Sequence, residues 1–211
     1  MAYDLEEQEK LDAIRDWWAR HGTLILSLVL VAAASVAGWR GWQWYEGHKA
    51  GQAMGYFEAL ERAAGQNDED SMERIRAASE TLRSDFSKSG YTPRGLLIAA
   101  EALHDHGDVD EAIRQLQWIT RHSKEQAMVE LARLRISGLY LGQGKHDAAL
   151  DALDHDTEAF EALYADRRGD VYHALGDAEN AQKQWRAALS LFGDDPLSQV
   201  VQLKLDALTG V

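Results

Sequence analysis

The amino-acid sequence predicts an all-α protein: a single N-terminal transmembrane helix, then a solenoid of stacked helical hairpins closed by a C-terminal capping helix. Three observations predict it. From Gly22 to Trp39 there is no ionisable side chain, and aromatic residues crowd both ends of that run. Three segments further on overlay on one another, each with a glycine at the same place between two apolar-periodic runs. Only Pro93 and Pro196 interrupt the chain, and strand-like alternation is scarce, so helices dominate.

The first element is a tail, residues 1–21. It holds Lys10, Arg15 and Arg20 against Asp4, Glu6, Glu7, Glu9, Asp12 and Asp16, and its Leu11, Ile14 and Trp18 recur at the spacing of one helical face. The second is a membrane span with its aromatic exit flank, residues 22–45. At about 1.5 Å per residue, its uncharged core makes a helix of roughly 27 Å, close to the hydrocarbon thickness of a bilayer. Trp17 and Trp18 precede it, and Trp39, Trp42, Trp44 and Tyr45 follow, where amphipathic rings sit at headgroup level. Five of the seven Trp residues flank this one segment, a belt for which the core helix of a soluble protein has no use.

A cleaved signal peptide is the alternative, because the apolar run from Leu24 to Ala37 suits an h-region and Ser35, Val36 and Ala37 are small. A signal opens on a basic region, however, and this tail is acidic and patterned. An uncleaved anchor is expected. Three Lys or Arg precede the span, and Arg40 and Lys49 follow it closely, a slight lean toward a cytoplasmic N-terminus. Long domains translocate largely regardless of charge, so the remaining chain is expected on the far side of the membrane.

That remainder, residues 46–211, is strongly acidic within a chain of net charge −13, which removes any general attraction to phosphates and excludes nucleic acid as a partner. Cys is absent, which excludes disulfides, thiolate catalysis and Cys-based zinc sites. A first hairpin spans about 46–88: a helix to Ala64, the turn GQNDED, and a helix from Ser71, a residue that suits a helix cap, to about Phe86. SKSGYTP then reads as a loop. Hairpins at about 93–126, 128–160 and 162–193 follow, and apolar positions from Leu197 to Leu208 predict the capping helix at 196–208.

In these three hairpins the turn glycines Gly107, Gly144 and Gly176 mark helix ends that need a left-handed residue, and Ala112, Ala149 and Ala181, five positions later, let two helices cross closely. An irregular period near 34 residues with this anatomy resembles the tetratricopeptide repeat family. Gly169, Tyr172, Gly176, Ala181, Trp185 and Ala188 fill the signature places of the last copy. The middle copy keeps Ser137, Tyr140, Gly144, Ala149 and Leu153, with Asp156 where a small residue belongs. The first keeps Ala100, Gly107, Ala112 and Leu116 and lacks the aromatic residue.

No segment carries a catalytic signature. GLYLGQGKH, from Gly138 to His146, departs from a phosphate-binding loop in its glycine spacing and in having His146 where a Ser or Thr would hold magnesium. His104 and His106 are two apart, a spacing that points helical side chains to different faces and disfavours a metal site. No cofactor is expected, and a hydrolase assembled from His104, His106 or His173 is the disfavoured alternative. Binding remains. The repeat resemblance implies a groove lined by the first helices of successive hairpins, with Arg94, Leu97, Glu101 and His104, then Leu134, Gly138 and Leu141, then Asp166, Asp170 and His173. The acidic third group is expected to repel a carboxylate-terminated ligand.

Over its whole length, from EEQEKLDAIRDWWARHG through GWRGW to ADRRGDVYHALGDAENAQKQWRAAL, the chain resembles the YfgM family of ancillary SecYEG translocon subunits. The resemblance implies an adaptor in the bacterial inner membrane, with a cytoplasmic tail and a periplasmic repeat domain. It implies as partners the SecYEG translocon, translocating polypeptides, the bilayer and a membrane-anchored periplasmic chaperone of the prolyl-isomerase type, PpiD. The same fold also suits a scaffold in envelope or cell-division assembly, or a soluble periplasmic binding protein if the apolar segment is removed.

Overall fold

The computed structural model describes residues 2–66, 70–155 and 157–209. Regular structure among them is helical throughout, and the chain divides into two compact units, Met1–Gly51 and Gln52–Val211.

The first unit is formed by α1 (Ala2–Ala64), whose last residues belong to the second. The tail, span and first hairpin helix read as separate segments in the sequence are one continuous helix, because no proline or turn cluster lies between them. Ser27 and Ser35 donate their hydroxyls back to Thr23 O and Val31 O at 2.7 and 2.8 Å, which satisfies the few polar groups of the apolar run within the helix. Its large side chains find no protein around them: Leu28 is 68% exposed and Trp44 72%. Among the described residues this is the one helix long and apolar enough to cross a membrane.

The second unit packs helices in chain order. The end of α1 and α2 (Ser71–Asp85) are followed by α3 (Tyr91–Asp105) with α4 (Val109–His122), α5 (Gln126–Gly142) with α6 (His146–Asp151), α7 (Glu161–Ala174) with α8 (Ala178–Phe192), and α9 (Leu197–Thr209). The start of α2 differs from the sequence reading. Asp70 flanks the helix without a side-chain cap, and Ser71 lies buried in its first turn. The loop before α3 is also shorter than SKSGYTP implied, since Tyr91, Thr92 and Pro93 are already helical. Proline is tolerated in a first turn because its missing N–H has no helical acceptor, and Thr92 ties that turn down by donating to Phe86 O at 2.6 Å.

Each repeat turn follows from its residues. Gly107, Gly144 and Gly176 take φ of +84°, +70° and +78°, the left-handed region that side chains with a Cβ avoid. Asp108 and Asp177 then cap the next helix by accepting from Glu111 N at 3.4 Å and Asn180 N at 3.1 Å. Lys145 stands in that place before α6 and provides no cap, and α6 is only six residues long.

Two clusters of buried side chains result. One runs from the end of α1 to α5 around Leu60, Ile75, Leu82, Leu96, Leu103 and Leu116; full burial of each such side chain is worth about 1.5–3 kcal/mol. The other joins α7, α8 and α9 around Ala165, Ala181, Trp185, Ala188, Val201 and Leu205. The contacts of α7 with α5 and with the α6 segment bridge them. At α5 the buried Tyr164 hydroxyl donates to Glu130 Oε2 at 2.6 Å, with Glu130 O at 3.1 Å, and just past α6 Leu153 O accepts from Arg168 at 2.8 Å. Burial first, and then the Glu130 carboxylate, push the Tyr164 phenol well above its ordinary range.

Candidate protein-binding groove

A cavity of about 380 Å³ opens between α3, α4, α5 and α7, lined by Ala100, Glu101, His104, Leu116, Arg135, Gly138, Leu139 and Arg167. Three residues expected at the groove, Glu101, His104 and Gly138, line it. The others fall elsewhere for identifiable reasons. Leu97 is buried in the larger core cluster. Arg94 is exposed but committed, with its guanidinium forked onto Glu125 at 3.0 and 2.8 Å. Leu134 and Leu141 are half-buried on α5 and are not among the residues lining the cavity. His173 is exposed, and its ring lies 5.5 Å from that of Trp185.

The acidic wall expected from Asp166 and Asp170 is corrected by α9. Lys204 reaches back from that helix to Asp166 Oδ1 at 2.6 Å and Asp170 Oδ1 at 2.7 Å, and Trp185 Nε1 donates to Asp170 at 3.2 Å. Burial, with the neighbouring Asp170 charge, holds the Asp166 carboxyl above the usual carboxylate range against the opposing pull of Lys204. These two carboxylates therefore serve the α7–α9 contact.

Sequence reasoning missed Arg135 and Arg167. The signal was present, because each stands nine residues before its turn glycine, Gly144 or Gly176, so successive repeats place a guanidinium at equivalent positions. The expected groove residues Leu134 and Asp166 precede them by one position, and a rotation of about 100° per residue separates a groove-facing side chain from its neighbour. Arg135 lies 3.3 Å from Glu101 across the cavity. Arg167 lies against α5 where Gly138 has no side chain, and a Cβ there would sit 3.3 Å from its Nη1.

The six aromatic residues expected at the membrane interface, Trp17, Trp18, Trp39, Trp42, Trp44 and Tyr45, are all exposed on α1. Trp17 stacks on His21 and Trp44 on His48, with ring centroids 5.2 and 5.6 Å apart. Among the described residues no group of three or more His, Asp or Glu side chains converges as metal coordination requires.

A family model for a tetratricopeptide repeat-like domain matches residues 15–210. The ancillary SecYEG translocon subunit of Neisseria gonorrhoeae is 32% identical, over 99% of this chain and 100% of that protein. The chain belongs to the ancillary SecYEG translocon subunit family. Relatives of the same name in Haemophilus influenzae and Escherichia coli are 26% and 24% identical, over 99% and 96% of this chain and 100% and 97% of their own lengths. The YfgM-type resemblance read from the tail, span and last hairpin is thus matched along the whole chain. The family is one of ancillary translocon subunits with a tetratricopeptide repeat-like domain, which is not an enzyme class.

Proposed function

We propose that this protein is an adaptor of the SecYEG translocon in the bacterial inner membrane, with residues 1–21 in the cytoplasm and residues 46–211 in the periplasm. It joins emerging secretory proteins to the periplasmic chaperone network by protein–protein binding. The observation that carries this reading is the full-length likeness to relatives named as subunits of that translocon. The exposed apolar span and the open cavity between repeat helices support it, because both are surfaces that a partner or lipid would cover. The uncleaved span anchors the chain beside the channel, and tethering raises the effective concentration of the groove near emerging polypeptides, so weak contacts suffice. The anchored chaperone PpiD and translocating chains are the proposed occupants of the repeat domain.

Crosslinking in intact membranes with partner identification tests this. Channel subunits and the anchored isomerase are the expected products, and cell-wall synthases in their place would overturn the reading. Mass spectrometry of membrane-extracted protein is expected to find the N-terminal tail attached; a mature N-terminus at Gly38 would remove the anchor. Ala34→Leu with Gly38→Leu is expected to weaken co-purification with the channel, while Leu139→Glu at the cavity wall spares it and reduces capture of the periplasmic partner.

A further inference from the structure

Resting on that adaptor reading, we infer that the groove selects a partner segment bearing an Asp or Glu side chain next to an apolar one, and that Arg167 is the group that reads the carboxylate. The cavity holds two kinds of surface. Ala100, Leu116, Gly138 and Leu139 form an apolar wall, and the remaining lining is charged or polar. Of its charges, Glu101 and Arg135 already answer each other at 3.3 Å, and His104 Nδ1 lies 3.5 Å from Asp105. Arg167 has no hydrogen bond or ion pair among the described residues, and the carboxylates nearest it in sequence, Asp166 and Asp170, are held by Lys204. Its guanidinium comes close to α5 because Gly138 has no side chain in the way.

This leaves one uncommitted cation beside an apolar wall, in a chain whose net charge is −13. A neutral or basic segment filling the cavity would strip water from Arg167 and return nothing to its N–H donors, whereas a carboxylate would receive a charge-assisted pair of hydrogen bonds in the fork geometry that guanidinium provides. One uncommitted cation matches a single carboxylate better than a multiply charged anion, and the apolar surface at Gly138 and the half-buried Leu139 suits a neighbouring Leu or Val of the same segment.

Fluorescence anisotropy with the full chain in lipid nanodiscs tests the inference, using labelled peptides of sequence Ser-Ala-Leu-X-Leu-Ala-Ser with X as Asp, Asn or Lys. The Asp peptide is expected to bind about tenfold more tightly than the Asn peptide, and the Lys peptide more weakly than either. Arg167→Gln is expected to bring the Asp and Asn peptides to equal affinity, and Arg167→Lys to keep part of the Asp preference as a point charge without the fork. Since Arg167 makes no hydrogen bond or ion pair among the described residues, helical content by circular dichroism should match the parent in both variants. Equal affinity for Asp and Asn peptides, or a preference that survives Arg167→Gln, overturns the inference and leaves the adaptor reading intact, because the groove still binds. No binding of any peptide overturns it as well; loss of the adaptor reading itself is read separately, from failure of the full chain to co-purify with channel subunits.

Discussion

Tyr164→Phe tests how α7 is held on α5. The substitution keeps the buried ring and removes only the hydroxyl, which donates to Glu130 Oε2 at 2.6 Å. Glu130 is 3% exposed, so its carboxylate loses a donor that water cannot readily replace, although Gln126 still donates to its other oxygen. A hydrogen bond to a charged, buried acceptor is worth about 1.5–3 kcal/mol, and with Gln126 remaining the expected loss is about 2 kcal/mol. At about 2–4 °C per kcal/mol for a domain of this size, the thermal midpoint falls by about 4–8 °C. Circular dichroism melts of the full chain in detergent micelles measure it. Adding Glu130→Met removes the stranded acceptor and is expected to recover more than half of the loss. The wild type carries a matching pH dependence. A folded phenol held above its unfolded value contributes stability that is complete below about pH 10 and is lost as the pH rises beyond it. Tyr164→Phe is expected to lose that alkaline sensitivity. A midpoint within 1 °C of the parent, or a double variant no better than the single one, would refute the claim that this hydrogen bond secures the junction.

Gly169→Ala places a Cβ 2.4 Å from Trp185 Cδ1, and displacing that buried indole is expected to cost about 1–3 kcal/mol, more than the gain of about 1 kcal/mol in helix propensity; the urea midpoint and a changed tryptophan emission read it. Lys204→Met strands Asp166 and Asp170, so exchange protection of α9 is expected to fall by about 1–2 kcal/mol at neutral pH. Because the Asp166 carboxyl already lies above its ordinary value, its contribution to stability is present below about pH 4 and declines as the pH rises through its folded value, so the Lys204→Met defect should be smaller at pH 4 than at pH 7. Ser137→Ala removes a fully buried hydroxyl that has no hydrogen-bond partner among the described residues and is expected to raise stability by about 0.5–1 kcal/mol in the same denaturation assay.

The parts of the fold that rest on local chemistry were legible in the sequence. Uncharged length announces the span, and glycine with a following small residue announces each repeat turn. Continuity of α1 was harder to read, since glycines at 38, 41, 47, 51 and 55 weaken a helix without ending it. The short α6 was partly visible as Lys145 in place of the aspartate that caps α4 and α8. At the groove, reading failed where it depended on rotation and on distant partners. Repeat register gave the right helices, yet Leu97 turned into the core and Arg167 was passed over for the residue before it. Nothing near Asp166 in sequence reveals Lys204, which arrives from 38 residues away.

The divided core has a consequence for how the groove behaves over time. Glu101, His104 and Arg135 ride on helices that pack into the first cluster, while Arg167 rides on α7 in the second. The cavity therefore straddles a mechanical seam spanned by few side chains, of which Tyr164 and Arg168 are the fasteners. Subunits of a repeat stack exchange and open according to the interfaces that hold them, so α7 to α9 are expected to breathe as one body against the rest. A segment lodged in the cavity would clasp both sides of the seam, and slower amide exchange in α8 and α9, remote from the occupant, would be its signature.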